Sequence, residues 1–241
     1  MLKLEGLTKS FGDIVAVDGV SFSVQEGEIF GLLGENGAGK TTTLRMLATM
    51  LKPTSGTAKL GKYDVVADPE QVRGSIGILF GGETGLYDRL TVAENIRYFG
   101  ELNDMPSADI KRRTDQLSAA FGMQDYIHRR AGKLSKGMKQ KAAFARSIIH
   151  DPGIMLFDEP TSGLDVGAMR EVHAFILQCK AEGKTIVLSS HIMNEVEKLC
   201  DRIGIIHQGR LVDVGSIGEL RAKYGGDSLE EIFVQLAEVV R

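Results

Sequence analysis

One stretch, Gly31-Leu-Leu-Gly-Glu-Asn-Gly-Ala-Gly-Lys-Thr-Thr-Thr-Leu44, constrains this chain more than any other. From Gly34 to Thr41 it carries G-x-x-x-x-G-K-T, the spacing of a phosphate-binding P-loop. The flanks supply the context that such a loop requires. A short apolar run, Ile29-Phe30-Gly31-Leu32-Leu33, suits a buried strand, and Leu44, Met46, Leu47, Met50 and Leu51 then recur at helical spacing. Glycines let backbone N–H groups turn inward around phosphates, and the following helix N-terminus adds partial positive charge. The candidate phosphate-binding residues are Gly34, Asn36, Gly37, Ala38, Gly39, Lys40, Thr41 and Thr42. Among them Lys40 brings a point charge, and Thr41 a hydroxyl for Mg²⁺.

A second element fits the first. Ile154-Met155-Leu156-Phe157 is an apolar strand that ends in Asp158-Glu159. Acids at the carboxyl end of a strand lie where open α/β sheets bind ligands. Asp158 suits a Mg²⁺ ligand acting through water, and Glu159 a base that polarises attacking water. A lone Asp-Glu pair is more often only a polar strand end, so the P-loop gives this one its weight.

The rest of the chain reads as α/β. Strand-like runs cover Leu2–Leu7, Val15–Val24 and Ile29–Leu33, the last two read as a hairpin about Gly27. The P-loop helix is expected to end before Lys52-Pro53. "SGTAKLGKYDV" reads as another hairpin and "GSIGILF" as a buried strand. From about residue 84 to 150 the pattern is mostly helical, with a capping box at Thr91-x-x-Glu94 and further helix starts at Pro106-Ser107 and Leu134-Ser135. Alternation then resumes: strand Ile154–Phe157, helix Val166–Ala181, strand Thr185–Ser189, helix Ile192–Leu199, strand Arg202–His207. Such alternation predicts a largely parallel sheet.

Three more stretches, in order along the chain, complete a family pattern. Leu134-Ser135-Lys136-Gly137-Met138 resembles the L-S-G-G-Q signature of ABC transporter ATPases. Ser162-Gly163-Leu164-Asp165 resembles their D-loop, and Ser189-Ser190-His191 their switch histidine. Phe11 in "KSFG" resembles the aromatic that stacks on adenine. The resemblance covers about residues 2 to 220. It implies an ABC ATPase: a P-loop core with a mixed, largely parallel sheet, an N-terminal antiparallel β-subdomain and an inserted helical subdomain at about 84–150. A helical tail at 221–241 would follow.

The same resemblance implies ATP and Mg²⁺ as cofactors, with Thr41 and Asp158 at the metal. Lys40, Glu159 and His191 would be catalytic. Ser135 and Gly137 would contact the γ-phosphate held by a second copy, and Asp165 would bridge the two copies in a head-to-tail homodimer. Three positions depart from the pattern. Lys136 and Met138 replace the usual glycine and glutamine of the signature. "FGGETGLYDRL" lacks the usual glutamine: Gly82 stands in its place, and Glu83 beside it would be the candidate substitute oxygen ligand.

"FGGETGLYDRLTVAENIRYFG", "LSKGMKQK" and the tail "DSLEEIFVQL" resemble the ATPase subunits of bacterial ABC-2-type exporters, nearest to the NatA-type ATPases. That group's role is sodium extrusion with a separate membrane permease. Other ABC-2 cargoes (drug, lipid or peptide) remain alternatives, as does a soluble, non-transport ABC ATPase. The tail stripe Leu229, Ile232, Phe233 and Leu236 reads as a core-packing helix. A formal net charge of −3, from 29 basic and 32 acidic residues, gives no support to a nucleic-acid partner. The N-terminus lacks an apolar signal core, and no run approaches the roughly 20 residues of a membrane helix. Cys179 and Cys200 have no metal-ligand spacing. The expected place is the cytoplasm, at the inner face of the membrane through the permease.

Overall fold

The computed structural model describes residues 1–80, 85–225 and 228–239. The chain opens with β1 (Leu2–Phe11) and β2 (Ile14–Val24), antiparallel about Gly12 and Asp13, with Leu2 opposite Val24 and Leu4 opposite Phe22. Next come β3 (Ile29–Leu33), α1 (Lys40–Leu47), β4 (Ser55–Leu60), β5 (Tyr63–Asp64), α2 (Pro69–Ser75) and β6 (Ile76–Leu79). Helices α3 (Val92–Leu102), α4 (Ser107–Ala120) and α5 (Lys136–Ser147) follow as a block. The chain then alternates through β7 (Ile154–Asp158), α6 (Val166–Ala181), β8 (Thr185–Ser190), α7 (Met193–Leu199) and β9 (Arg202–His207). It finishes with β10 (Arg210–Gly215), α8 (Ile217–Tyr224) and α9 (Leu229–Val239).

Two sheets result among the described residues. The antiparallel one has the order β2-β1-β4-β5, and the larger has the order β10-β9-β3-β8-β7-β6. Every pairing in the larger sheet is parallel except β9 with β10. Its central strands are apolar on both faces because both faces are covered. In β3, Ile29 and Leu33 enter the core built by α3–α9, whereas Phe30 and Leu32 enter the core shared with α1 and the antiparallel sheet. The same period of two divides β7 into Met155 and Phe157 on one side and Leu156 on the other.

The pairing of β2 with β3 expected from the sequence does not occur. β2 alternates buried and exposed positions and pairs with β1, while β3 is buried throughout and lies between β8 and β9. A strand without a polar face is satisfied only at a sheet centre, so the turn at Gly27, φ 73°, carries the chain from one sheet to the other. The P-loop helix also stops sooner than its apolar spacing suggests. Thr49 adopts φ 60°, the N–H groups of Met50 and Leu51 both fold back on Arg45 O, and Met50 is 60% exposed. The sequence pattern does not mark strand β10 or helix α2, the first being half-exposed and the second only 7 residues long and opened by Pro69.

The tail stripe packs as read: Leu229, Ile232, Phe233 and Leu236 are buried in the helical core. Among the described residues, no helix is long and apolar enough to cross a membrane. Gly82 and Glu83, singled out from the sequence, lie outside the described residues.

The capping box that starts α3 is complete. Thr91 Oγ1 accepts from Glu94 N at 3.1 Å, and Glu94 Oε2 accepts from Thr91 N at 2.7 Å. Thr91→Ala is expected to cost about 1 kcal/mol and lower the thermal midpoint by roughly 2–4 °C, as calorimetry would read.

Candidate active site

The P-loop joins the carboxyl end of β3 to α1, so it opens where parallel strands present ligands. Two of its glycines have no room for a side chain. A Cβ on Gly34 would lie 2.4 Å from the carbonyl oxygen of Ile206, and one on Gly39 2.7 Å from that of Ala16. Gly39 also takes φ 107° just before α1, a conformation that L side chains avoid. The loop is backed by the β9–β10 turn, where Gly209 N donates to Ala38 O at 2.9 Å. Asn36 and Gly37 are exposed at its tip, and Thr42 is half-buried on α1.

Lys40 is buried and reaches back across the loop, its Nζ donating to Gly34 O at 2.7 Å and Glu35 O at 3.0 Å. Burial pulls its ammonium below the usual lysine range, and the carboxylates of Glu159 and Asp158 partly restore it. The lysine is thus a cation held over the loop by two carbonyls that a phosphate could replace.

Thr41 and Asp158 come together from distant parts of the chain: Thr41 Oγ1 donates to Asp158 Oδ2 at 2.8 Å. Parallel pairing sets Asp158 level with Ser189 on β8, whose hydroxyl donates to Asp158 Oδ1. Ser189 also fixes the next residue, since its Oγ and its carbonyl oxygen each accept from Glu159 N at 3.1 Å. Glu159 is held there at φ 47°, a conformation uncommon for glutamate. Its Oε1 lies 2.9 Å from His191 Nδ1. Lys40, Thr41, Asp158, Glu159 and His191 therefore converge at one end of the parallel sheet.

The remaining predicted residues stand apart from that cluster. Ser135 caps α5, accepting from Met138 N at 3.3 Å, and Asp165 caps α6, accepting from Ala168 N at 2.9 Å. Both are exposed. Beside Gly137 a Cβ would meet nothing nearer than Leu164, at 4.0 Å. Phe11 is 47% exposed at the end of β1, with Lys9 Nζ 5.2 Å from its ring centroid.

The sequence matches the ABC transporter family over residues 17–162. The chain belongs to that family. It is 48% identical to the ABC transporter ATP-binding protein NatA of Bacillus subtilis (strain 168), over 97% of each chain. A solved ATP-binding subunit of an ABC transporter, 30% identical, superposes with a TM-score of 0.91 over 98% of this chain and 99% of that one. A second solved cassette is a dimer in a post-hydrolysis state bound to ADP and Pi. It is 25% identical, with a TM-score of 0.82 over 90% of this chain and 99% of that one. The protein is an ABC ATPase, an ATP-hydrolysing, ATP-binding subunit of an ABC transporter close to NatA.

Two supports of the ABC ATPase site carry no signal of their own in the sequence. Ser189 entered only as part of the switch stretch, because its link to Asp158 depends on the β7–β8 register. The left-handed backbone of Glu159 leaves no mark in the amino-acid sequence. Gly34→Ala should displace the loop from Ile206 at a cost of about 1–3 kcal/mol. Binding of a fluorescent ATP analogue, followed by titration, is expected to weaken by about tenfold or more, the equivalent of ~1.4 kcal/mol.

Proposed function

We propose that this ABC ATPase energises export through a separate membrane permease, with sodium as the cargo. The observation that carries the catalytic part is the Glu159–His191 contact of 2.9 Å beside the Thr41–Asp158 pair. Residues 1–220 act as one nucleotide-binding cassette, with 84–150 as its helical subdomain and 221–241 as its tail.

The residues suit ATP with Mg²⁺. Gly34 and Gly39 let the loop pack side-chain-free against Ile206 and Ala16, and Lys40 is already a buried cation on that loop. Among the described residues, no group of three or more His, Cys, Asp or Glu gathers to hold a metal. A site of one hydroxyl and one carboxylate suits Mg²⁺, which keeps waters and takes substrate phosphates as ligands. Thr41 and Asp158 would hold the ion, which neutralises charge on the phosphates when bound. Gly34, Asn36, Gly37, Ala38, Gly39 and Thr42 would surround the phosphates, and Phe11 would stack on the adenine.

In the proposed step Glu159 accepts a hydrogen bond from the attacking water, and His191 holds that carboxylate and the γ-phosphate in line. The water passes a proton to Glu159 as its oxygen bonds to the γ-phosphorus and the bond to the β–γ bridging oxygen breaks, leaving ADP and inorganic phosphate, and Glu159 then returns the proton to solvent. Catalysis is chiefly positioning and electrostatic stabilisation, with Lys40 the main charge from this chain. Ser135, Gly137 and Asp165 complete the site of a second copy in a head-to-tail homodimer. Dimer closure on ATP and reopening after phosphate release would drive the permease, placing the subunit on the cytoplasmic face of the membrane.

Glu159→Gln should abolish steady-state turnover and accumulate an ATP-bound dimer in size-exclusion chromatography, whereas a non-hydrolysing module would be unchanged by it. With the co-purifying membrane protein present, inverted vesicles should take up ²²Na⁺ on ATP addition and lose that uptake in Glu159→Gln. Full ATPase activity without sodium movement would discard sodium and keep the exporter.

A further inference from the structure

A buried carboxylate outside the residues assigned above ties the two halves of the catalytic pair together. Glu195, on α7, is 3% exposed, and three donors converge on it. Thr161 Oγ1 donates to its Oε1 at 2.6 Å, His173 Nε2 lies 2.9 Å from the same oxygen, and Ser190 Oγ donates to its Oε2 at 2.6 Å. Ser190 Oγ also accepts from Ile192 N at 3.0 Å, so the residues on both sides of His191 are bonded to this hub.

Thr161 belongs to the turn that carries Glu159. Ser162 N donates to Glu159 O at 3.1 Å, and Leu164 N to Thr161 O at 3.1 Å. Between them, Pro160 O accepts from Gln140 Nε2 of α5 at 3.1 Å. One side chain therefore joins the segment bearing Glu159 to the segment bearing His191. Burial alone would raise the pKa of Glu195, but the hydrogen bonds from His173, Ser190 and Thr161 outweigh it and keep the carboxyl below its ordinary range. An anion taken out of water is costly even when paired, and a well-packed apolar side chain often serves stability as well. What the carboxylate adds over an apolar filler is direction, because it fixes three hydroxyl and imidazole donors at set angles.

We propose that Glu195 is a positioning residue for ATP hydrolysis, holding Glu159 and His191 in the mutual geometry that aligns the attacking water. The proposal rests on Glu159 and His191 being the water-handling pair.

The test compares ATPase kinetics of the full chain with those of Glu195→Gln, Glu159→Gln and Glu28→Gln. Glu28 is a buried carboxylate at the opposite end of β3, bonded to Gln25 N and Arg202, and serves as the structural control. Glu195→Gln is expected to lower kcat at least tenfold while the KM for ATP stays within twofold. Glu28→Gln is expected to lower the thermal midpoint and leave kcat within twofold. A kcat within twofold of the parent in Glu195→Gln, or a loss carried by KM alone, would overturn the proposal. If Glu195→Gln does not fold, Ser190→Ala and Thr161→Val decide, each removing one hydrogen bond. Either one lowering kcat at least fivefold at unchanged KM supports the inference, and unchanged kcat in both overturns it. Full turnover in Glu159→Gln would instead bring down the reading of the site, and this inference with it.

Discussion

The hydrogen bond between Asp158 and Ser189, across β7 and β8, is the contact on which the rest of the site depends. It occupies one carboxylate oxygen and leaves the other for Thr41. The same serine hydroxyl receives the N–H of Glu159. Sliding β8 by one residue would turn Ser189 to the opposite face and separate all three. The two hydrophobic cores prevent that slip, since Ile186 and Leu188 fill one and Val187 the other. Register, and with it the chemistry, is therefore fixed by apolar packing on both sides of the sheet.

Within that frame the site holds two costly features. Lys40 is a buried cation hydrogen-bonded to two loop carbonyls, and Glu159 sits in a left-handed conformation. A non-glycine residue in that region costs on the order of 1–3 kcal/mol and persists only where its surroundings over-determine it. Here two acceptors on Ser189 hold the backbone and His191 holds the side chain. The conformation carries the carboxylate from the end of a buried strand out to the phosphate side of the sheet. An extended residue at 159 would continue the line of β7 instead.

Much of this was legible in the sequence, because several elements carry local signals that tertiary packing reinforces. The P-loop, the capping box at Thr91, the serine that starts α5 and the apolar runs of β7 and β8 all lie where pattern alone puts them. The failures have a common cause. Whether β3 pairs with β2 is decided by distant strands β8 and β9, and nothing between Gln25 and Glu28 records their presence. Ser189, Thr161 and Glu195 look like ordinary polar residues until the sheet order brings them together. A half-exposed edge strand such as β10 has weak alternation, and α2 is too short to show a helical period.

The exposed N-terminus of α5 bears on how such a subunit could convert ATP into motion. The first turn of α5 contains no acid, Ser135 caps its own helix through Met138 N, and a Cβ on Gly137 would meet nothing nearer than Leu164 among the described residues. An anion presented by a second copy would meet a helix N-terminus whose charge is not cancelled locally. In the proposed dimer that anion exists only while ATP is bound, so the closed state alone gains these contacts. Moving a pair of subunits from 1:99 to 99:1 closed takes about 5.5 kcal/mol of differential binding. Shared between two equivalent sites, that is roughly 2.8 kcal/mol each, within reach of one or two hydrogen bonds to a charged group. In that proposed dimer Ser135 and Gly137 would offer that number of donors, so trans contacts of this size would let closure follow the γ-phosphate.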